Sequence, residues 1–324
     1  MTGRRLALLG LACLVVSSLL DCVRGPLLPL FAARYAAGYG RVAFFLAAGS
    51  LGSLAFNAAS IGPLAVLSDR AFVALSAAAQ AAALVLAAAA PGLGTLTAAG
   101  FVWGAGNTGL GMSANLLVIR GSSEAQRARL LSLLHVFYGL SCVLPPLYVA
   151  RAHRAGLGLG LLIALPAALP AVLALGAGLL EPGHGAAPRL GVREALSDSP
   201  LAMGSVVALY VLGEVLTSMW LVALQTARGA SLLQAGRTLS GFFLALAAGR
   251  AVTAALARPG LERRLVPLGL GGAAAFLLAA AGGRRWAFWA AGFCCGPVFP
   301  LLMTKLSLER PGRLRADLAF VYSL

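Results

Sequence analysis

The stretches RLLSLLHVFYGL, residues 129–140, and RLRADLAFVYSL, residues 313–324, align without a gap at an offset of 184. They share Arg129 and Arg313, Leu130 and Leu314, Leu134 and Leu318, Tyr138 and Tyr322, and Leu140 and Leu324. Two further landmarks keep nearly the same spacing. Gly62 and Gly249 are 187 apart, and the intramembrane acids Asp21 and Glu214 are 193 apart. A roughly constant offset over the whole chain is the signature of internal duplication. It predicts two homologous halves of six helices each, running in the same direction through a membrane.

Composition supports the membrane setting. Of 324 residues, 60% are hydrophobic and 11% charged, against about 25% charged in ordinary soluble domains. Apolar runs of 18 or more residues recur throughout, each long enough to cross a hydrocarbon layer of roughly 30 Å. Breaks at charges, Gly and Pro predict helices near 6–31, 42–67, 71–90, 93–119, 130–150 and 155–180. A second series follows near 201–227, 231–257, 265–282 and 286–307. Residues 1–180 therefore form an N-terminal half and 181–200, EPGHGAAPRLGVREALSDSP, a linker. Residues 201–324 form a C-terminal half of four helices and the start of a fifth. By the repeat offset, that half is expected to be truncated in its eleventh helix, with ten complete spans present.

The net charge of +15 does not point to nucleic acid. Its arginines stand in ones to threes between apolar runs, where membrane-flanking charges belong. With the N-terminus, the linker and alternate loops on one side, fifteen Lys and Arg fall there and seven on the other. The N-terminus and linker are therefore expected in the cytoplasm, and the protein in a bacterial inner membrane. Arg4 and Arg5 ahead of an apolar stretch resemble a secretory signal, but Asp21 precedes Cys22 and the apolar run continues to Phe31. The stretch reads as an uncleaved first helix. The five cysteines show no metal-ligand spacing, and no cofactor is expected. No Ser/His/Asp, Cys/His or paired-carboxylate arrangement points to an enzyme.

Six plus six helices with a cytoplasmic linker resemble the major facilitator superfamily. YVLGEVLTSMWLVALQTARGASLLQAGRTLSGFFLALAAGR, 210–250, is similar to the seventh and eighth helices of its fucose/glucose-permease-like branch. There an acid is followed six residues later by tryptophan, here Glu214 and Trp220, and a Gly-Arg pair, here Gly249 and Arg250, closes the eighth helix. NLLVIRGSSEAQRARLLSLLHVFYGLSCVLPPL, 115–147, and GPVFPLL, 296–302, resemble that branch as well. The superfamily's Gly-x-Leu-Ala-Asp-Arg signature is altered, however. Val66 stands at the aspartate position in GPLAVLSDRAFVAL, 62–75, and Asp69-Arg70 follows three residues late. In the superfamily this loop makes charge contacts between helix ends that help hold the outward-facing state, so the resemblance implies altered conformational control here.

The resemblance implies a secondary transporter of a small polar solute, such as a sugar, coupled to protons. Rival readings are an exporter of amphipathic compounds on the same fold and a non-transporting scaffold or degenerate product. Asp21 and Arg24, three apart on one helical face, are placed for an ion pair in the outer half of the first helix. They are read either as a self-neutralising pair or as a solute or proton site. Glu214, near the middle of the seventh helix with no basic residue within a turn, is the first candidate for proton coupling, and Asp21 the second. Arg24, Asn57, Asn107, Asn115, Trp220 and Arg237 are candidate solute contacts, while Arg250 is expected to be structural. Gly104, Gly106 and Gly109 spell GxGxxG, but in an apolar helix this reads as close helix packing and not a nucleotide site. The expected partners are solute, protons and lipid, with the protein as a monomer.

Overall fold

The computed structural model describes residues 3–61, 63–178, 201–256 and 260–302. Gly62, the linker 181–200, RLRADLAFVYSL and the expected eleventh helix lie outside the described residues. The described chain is all helical. α1 spans Gly3–Arg34, α2 Tyr39–Ile61, α3 Asp69–Ala89, α4 Leu93–Gly121, α5 Glu124–Ser141 and α6 Leu144–Arg154. α7 spans Leu159–Ala164 and α8 Ala168–Ala177; then come α9 at Leu201–Ala227, α10 at Leu232–Leu256, α11 at Glu262–Ala281 and α12 at Trp286–Cys295. Six spans are long and apolar enough to cross a membrane, namely Gly3–Arg34, Tyr39–Ser60, Asp69–Ala89, Leu159–Ala177, Gly204–Ala227 and Glu262–Ala281. α4 and α10 are comparably long, at 29 and 25 residues.

The expected fifth helix, 130–150, is two helices that meet at Cys142 and Val143. The cause is the Pro145-Pro146 pair in the first turn of α6. Neither proline can donate to the preceding turn, so the hydrogen-bond ladder is interrupted while the backbone at Cys142 and Val143 stays in the helical region. The sixth expected helix is likewise interrupted by a 3₁₀ turn at Leu165–Ala167, around Pro166. The second ends earlier than expected, at Ile61, and a 3₁₀ turn at Pro63–Val66 leads into the next loop. α1 is longer than expected and runs through Pro26 and Pro29 without a break. Within a bundle, neighbouring helices can compensate the carbonyls that such prolines leave unpaired.

In the first half α4 is the hub, packing against α1, α2 and α3, with α3 also lying on α7 and α8. Its GxGxxG glycines make this possible. Gly104 meets the Gly49 backbone of α2, and a Cβ at Gly106 would stand 2.6 Å from the Gln80 nitrogen of α3. Phe31, Phe45 and Trp103 stack edge to face in the core beside that crossing. In the second half α12 packs between α10 and α11. The halves join where α1 lies on α9 and where α10 lies on α5 and α6.

The altered loop after α2 retains a charge contact. Ser68 caps α3, accepting from the Ala71 N–H at 3.3 Å, and Asp69 pairs with Arg120 at the end of α4. A carboxylate in a first turn and a guanidinium in a last turn both suit the helix dipoles. The late aspartate thus links two helix ends within the first half.

Candidate functional site

α1 and α4 build a polar cluster in the first half. The Arg24 guanidinium pairs with the Asp21 carboxylate one turn before it, and Arg24 Nε lies 3.4 Å from the Asp21 carbonyl oxygen. Asn107 of α4 donates from Nδ2 to Asp21 at 3.2 Å. Ser17 donates to Asn107 Oδ1 at 3.1 Å, so four side chains form one connected network. Gly49 of α2 leaves room for the guanidinium, since a Cβ there would stand 3.1 Å from Arg24 Nη1. Both members of the pair are partly buried, Arg24 at 14% and Asp21 at 18% exposure. A charge facing lipid would be costly, and this one faces a neighbouring helix instead.

α1 runs from Gly3 to Arg34, which puts Asp21 about 4 Å and Arg24 about 8 Å past its midpoint, toward the Arg34 end, at 1.5 Å per residue. Glu214 is the middle residue of α9.

Glu214 is not alone, contrary to the sequence expectation. Arg250 of α10 reaches it at 3.6 Å between Nη2 and Oε1. The Tyr210 hydroxyl, one turn back on α9, donates to the other carboxylate oxygen and lies 3.1 Å from the Cys295 carbonyl oxygen. Arg250 is 7% exposed, and its Nε has no hydrogen-bond partner. Its guanidinium carbon sits 5.9 Å from the Tyr138 ring centre, a cation–π contact from α10 to α5 that joins the halves. Tyr138 also packs against the apolar cores of both halves. Arg250, expected to be structural, is thus the counter-charge of the central acid.

There are thus two acid–base clusters, one per half, the second in contact with Tyr138 of α5 and the first on α1, which packs on α5. Of the eight residues singled out from the sequence, Asp21, Arg24, Asn107 and Glu214 fall into these clusters. The others do not. Asn115 donates to the Gly111 carbonyl of its own helix at 3.0 Å, and Asn57 is buried within α2. Trp220 packs edge to face on Tyr39, ring centres 6.4 Å apart, against the first-half core. Arg237 is exposed on α10. Tyr138, Tyr210 and Arg250 were not candidates, although the four-residue spacing of Tyr210 and Glu214 already placed them on one helical face.

This arrangement of helices is the major facilitator fold. The E. coli fucose:proton symporter shares it, with a TM-score of 0.71 at 15% identity over 100% of this chain and 89% of that one. A D-xylose–proton symporter matches with a TM-score of 0.71 at 13% identity, over 98% of this chain and 86% of that one. A bacterial homolog of the human lysosomal transporter Spinster, inward-facing and unoccupied, matches at 0.69 and 13% identity over 99% and 79%. No family model matches the sequence, and no curated protein does. At such low identities the likeness is one of fold.

Proposed function

We propose that the chain is a secondary transporter that carries a small polar solute, in the first instance a sugar, by alternating access, coupled to protons through Glu214 and Asp21. The observation that carries this reading is the pair of largely buried acid–base clusters, one in each half, with Tyr138 packed between the two cores. Buried charges in membrane proteins mark solute and proton paths far more often than they serve packing. Two of the structural neighbours are proton symporters for sugars, which supports the same assignment. In this reading the protein is a monomer in a bacterial inner membrane with its N-terminus in the cytoplasm.

The geometry provides a coupling device. Arg250 stays charged under all ordinary conditions, and Glu214 offsets that charge. A proton arriving on Glu214 removes the offset and leaves the guanidinium with the Tyr138 ring and an unpartnered Nε–H. A solute oxygen is the acceptor that this donor lacks. Proton on Glu214 and solute on Arg250 therefore favour each other, and by linkage the effect is reciprocal. Asp21 as acceptor, with Arg24 and Asn107 as donors, offers a matching set for hydroxyl groups from the first half.

The test is uptake into proteoliposomes under an imposed pH gradient, using a panel of labelled monosaccharides and sugar acids. Gradient-driven accumulation of at least one solute is expected, and Glu214→Gln should abolish its pH dependence while leaving solute exchange in place. An unchanged pH dependence in that variant would sink the assignment of coupling to Glu214.

A further inference from the structure

The chain carries a second polar site, at the end of the bundle where α9 and α11 finish and α12 begins. A cavity of about 200 Å³ there is lined by Gln225, Arg228, Ala280, Gly283, Arg285 and Phe288. Gln225 is 4% exposed, yet neither its amide oxygen nor its amide nitrogen has a hydrogen-bond partner. Leaving both groups of a buried amide unpaired is costly enough that native structures rarely do so without a ligand or water. Arg228 bonds only loosely to the Ala280 carbonyl oxygen, at 3.5 Å, and both Arg228 and Arg285 are exposed at the rim.

The donor set describes the ligand. Two guanidiniums call for an anion that can be gripped by fork geometry, a phosphate above all. The Gln225 nitrogen supplies one more donor to it. The amide oxygen needs the reverse, a hydroxyl or ammonium proton close to the anion. Beside the site, Trp286 and Trp289 are 53% and 47% exposed, and exposed tryptophans near a span end occupy the headgroup layer of a bilayer. We propose that this cavity binds the headgroup of an anionic phospholipid bearing a hydroxyl next to its phosphate, of the glycerol-phosphate type. The site is separate from the acid–base clusters, since Gln225 lies 11 residues, three helical turns, beyond Glu214 on α9.

The experiment uses the full chain in lipid nanodiscs and reads the melting temperature. Replacing neutral phosphatidylcholine by phosphatidylglycerol should raise it by several degrees, and native mass spectrometry should show one retained phosphatidylglycerol. Arg228→Gln with Arg285→Gln should lower retention at least tenfold; both positions are exposed, so folding is spared. Gln225→Leu should melt higher than the parent in neutral lipid, because the unpaired amide is gone, and should gain less from phosphatidylglycerol. Equal stabilisation by neutral and anionic lipid, or undiminished retention in the variants, overturns the proposal. A second arm adds soluble glycerol phosphate to neutral discs. Stabilisation there, with none from phosphatidylglycerol, assigns the site to a soluble solute and overturns the lipid.

Discussion

At the scale of single residues, the proposed proton coupling turns on the pairing of Glu214 with Arg250. The two side chains are 13% and 7% exposed, so each is the main compensation for the other's burial. Removing one partner of such a pair costs about 3–5 kcal/mol, because it leaves the other charge buried and alone. Glu214→Leu and Arg250→Leu are therefore each expected to lower the melting temperature in detergent sharply, and the double variant to recover most of the loss. If the losses simply add, the ion pair contributes nothing as a pair. Tyr138→Leu removes the ring over Arg250 and should reduce gradient-driven uptake with a smaller effect on melting. The sequence made only part of this site legible. Asp21 and Arg24 could be joined by their three-residue spacing, since a helix brings such neighbours together. Glu214 was recognisable as an acid in an apolar run. Its counter-charge was not, because Arg250 stands 36 residues away on another helix and only the packing of α9 on α10 joins them.

At the scale of elements, the length of apolar runs located the helices but not their interruptions, since Pro145-Pro146 and Pro166 break two expected helices while Pro26 and Pro29 leave α1 whole. What the runs could not show is where an apolar helix meets another, since apolar residues facing lipid and facing protein look alike. The glycines of α4 resolve that for one helix. Gly104 lies on the Gly49 backbone of α2 and Gly109 on Ser76 and Phe56, so α4 is pressed close on two sides. Gly104→Ala puts a methyl group against backbone that no side-chain rotation can clear. It should destabilise the protein by about 1–3 kcal/mol, the usual range for overpacking. Gly94→Ala in the same helix meets nothing within 4 Å and should be neutral or slightly stabilising, since Ala is the better helix former. Thermal melting of the two variants side by side separates close approach from helix propensity. A loss at Gly94 equal to that at Gly104 would show that α4 tolerates no change for reasons other than crowding.

At the scale of the whole molecule, the contacts between halves gather toward one end of the bundle. Gly25 of α1 presses on α9, where a Cβ would stand 2.9 Å from the Met219 carbonyl oxygen. Beyond it, Tyr39 packs on Trp220, and its hydroxyl lies 3.4 Å from Thr226 Oγ1. On the other flank Ser240 of α10 donates to the Val143 carbonyl oxygen at 2.7 Å, where the fifth span is broken. The seals are a glycine on backbone, one aromatic pair and two hydrogen-bonding hydroxyls. Alternating access requires them to part once in every cycle. A tether across this end should therefore stop transport without unfolding the protein. With cysteines at Tyr39 and Thr226, a flexible cross-linker with two thiosulfonate ends, each forming a disulfide as sulfinate leaves, should bring uptake to background, and reductant should restore it. Each single-cysteine variant treated in the same way should keep its activity, because the five native cysteines are free and largely buried. Undiminished uptake by the tethered protein, with cross-linking complete on a gel, would mean that solute passes without these two halves separating here. The seal between α1 and α9 would then be a permanent join, and the moving parts would have to be sought at α10 against α5 and α6.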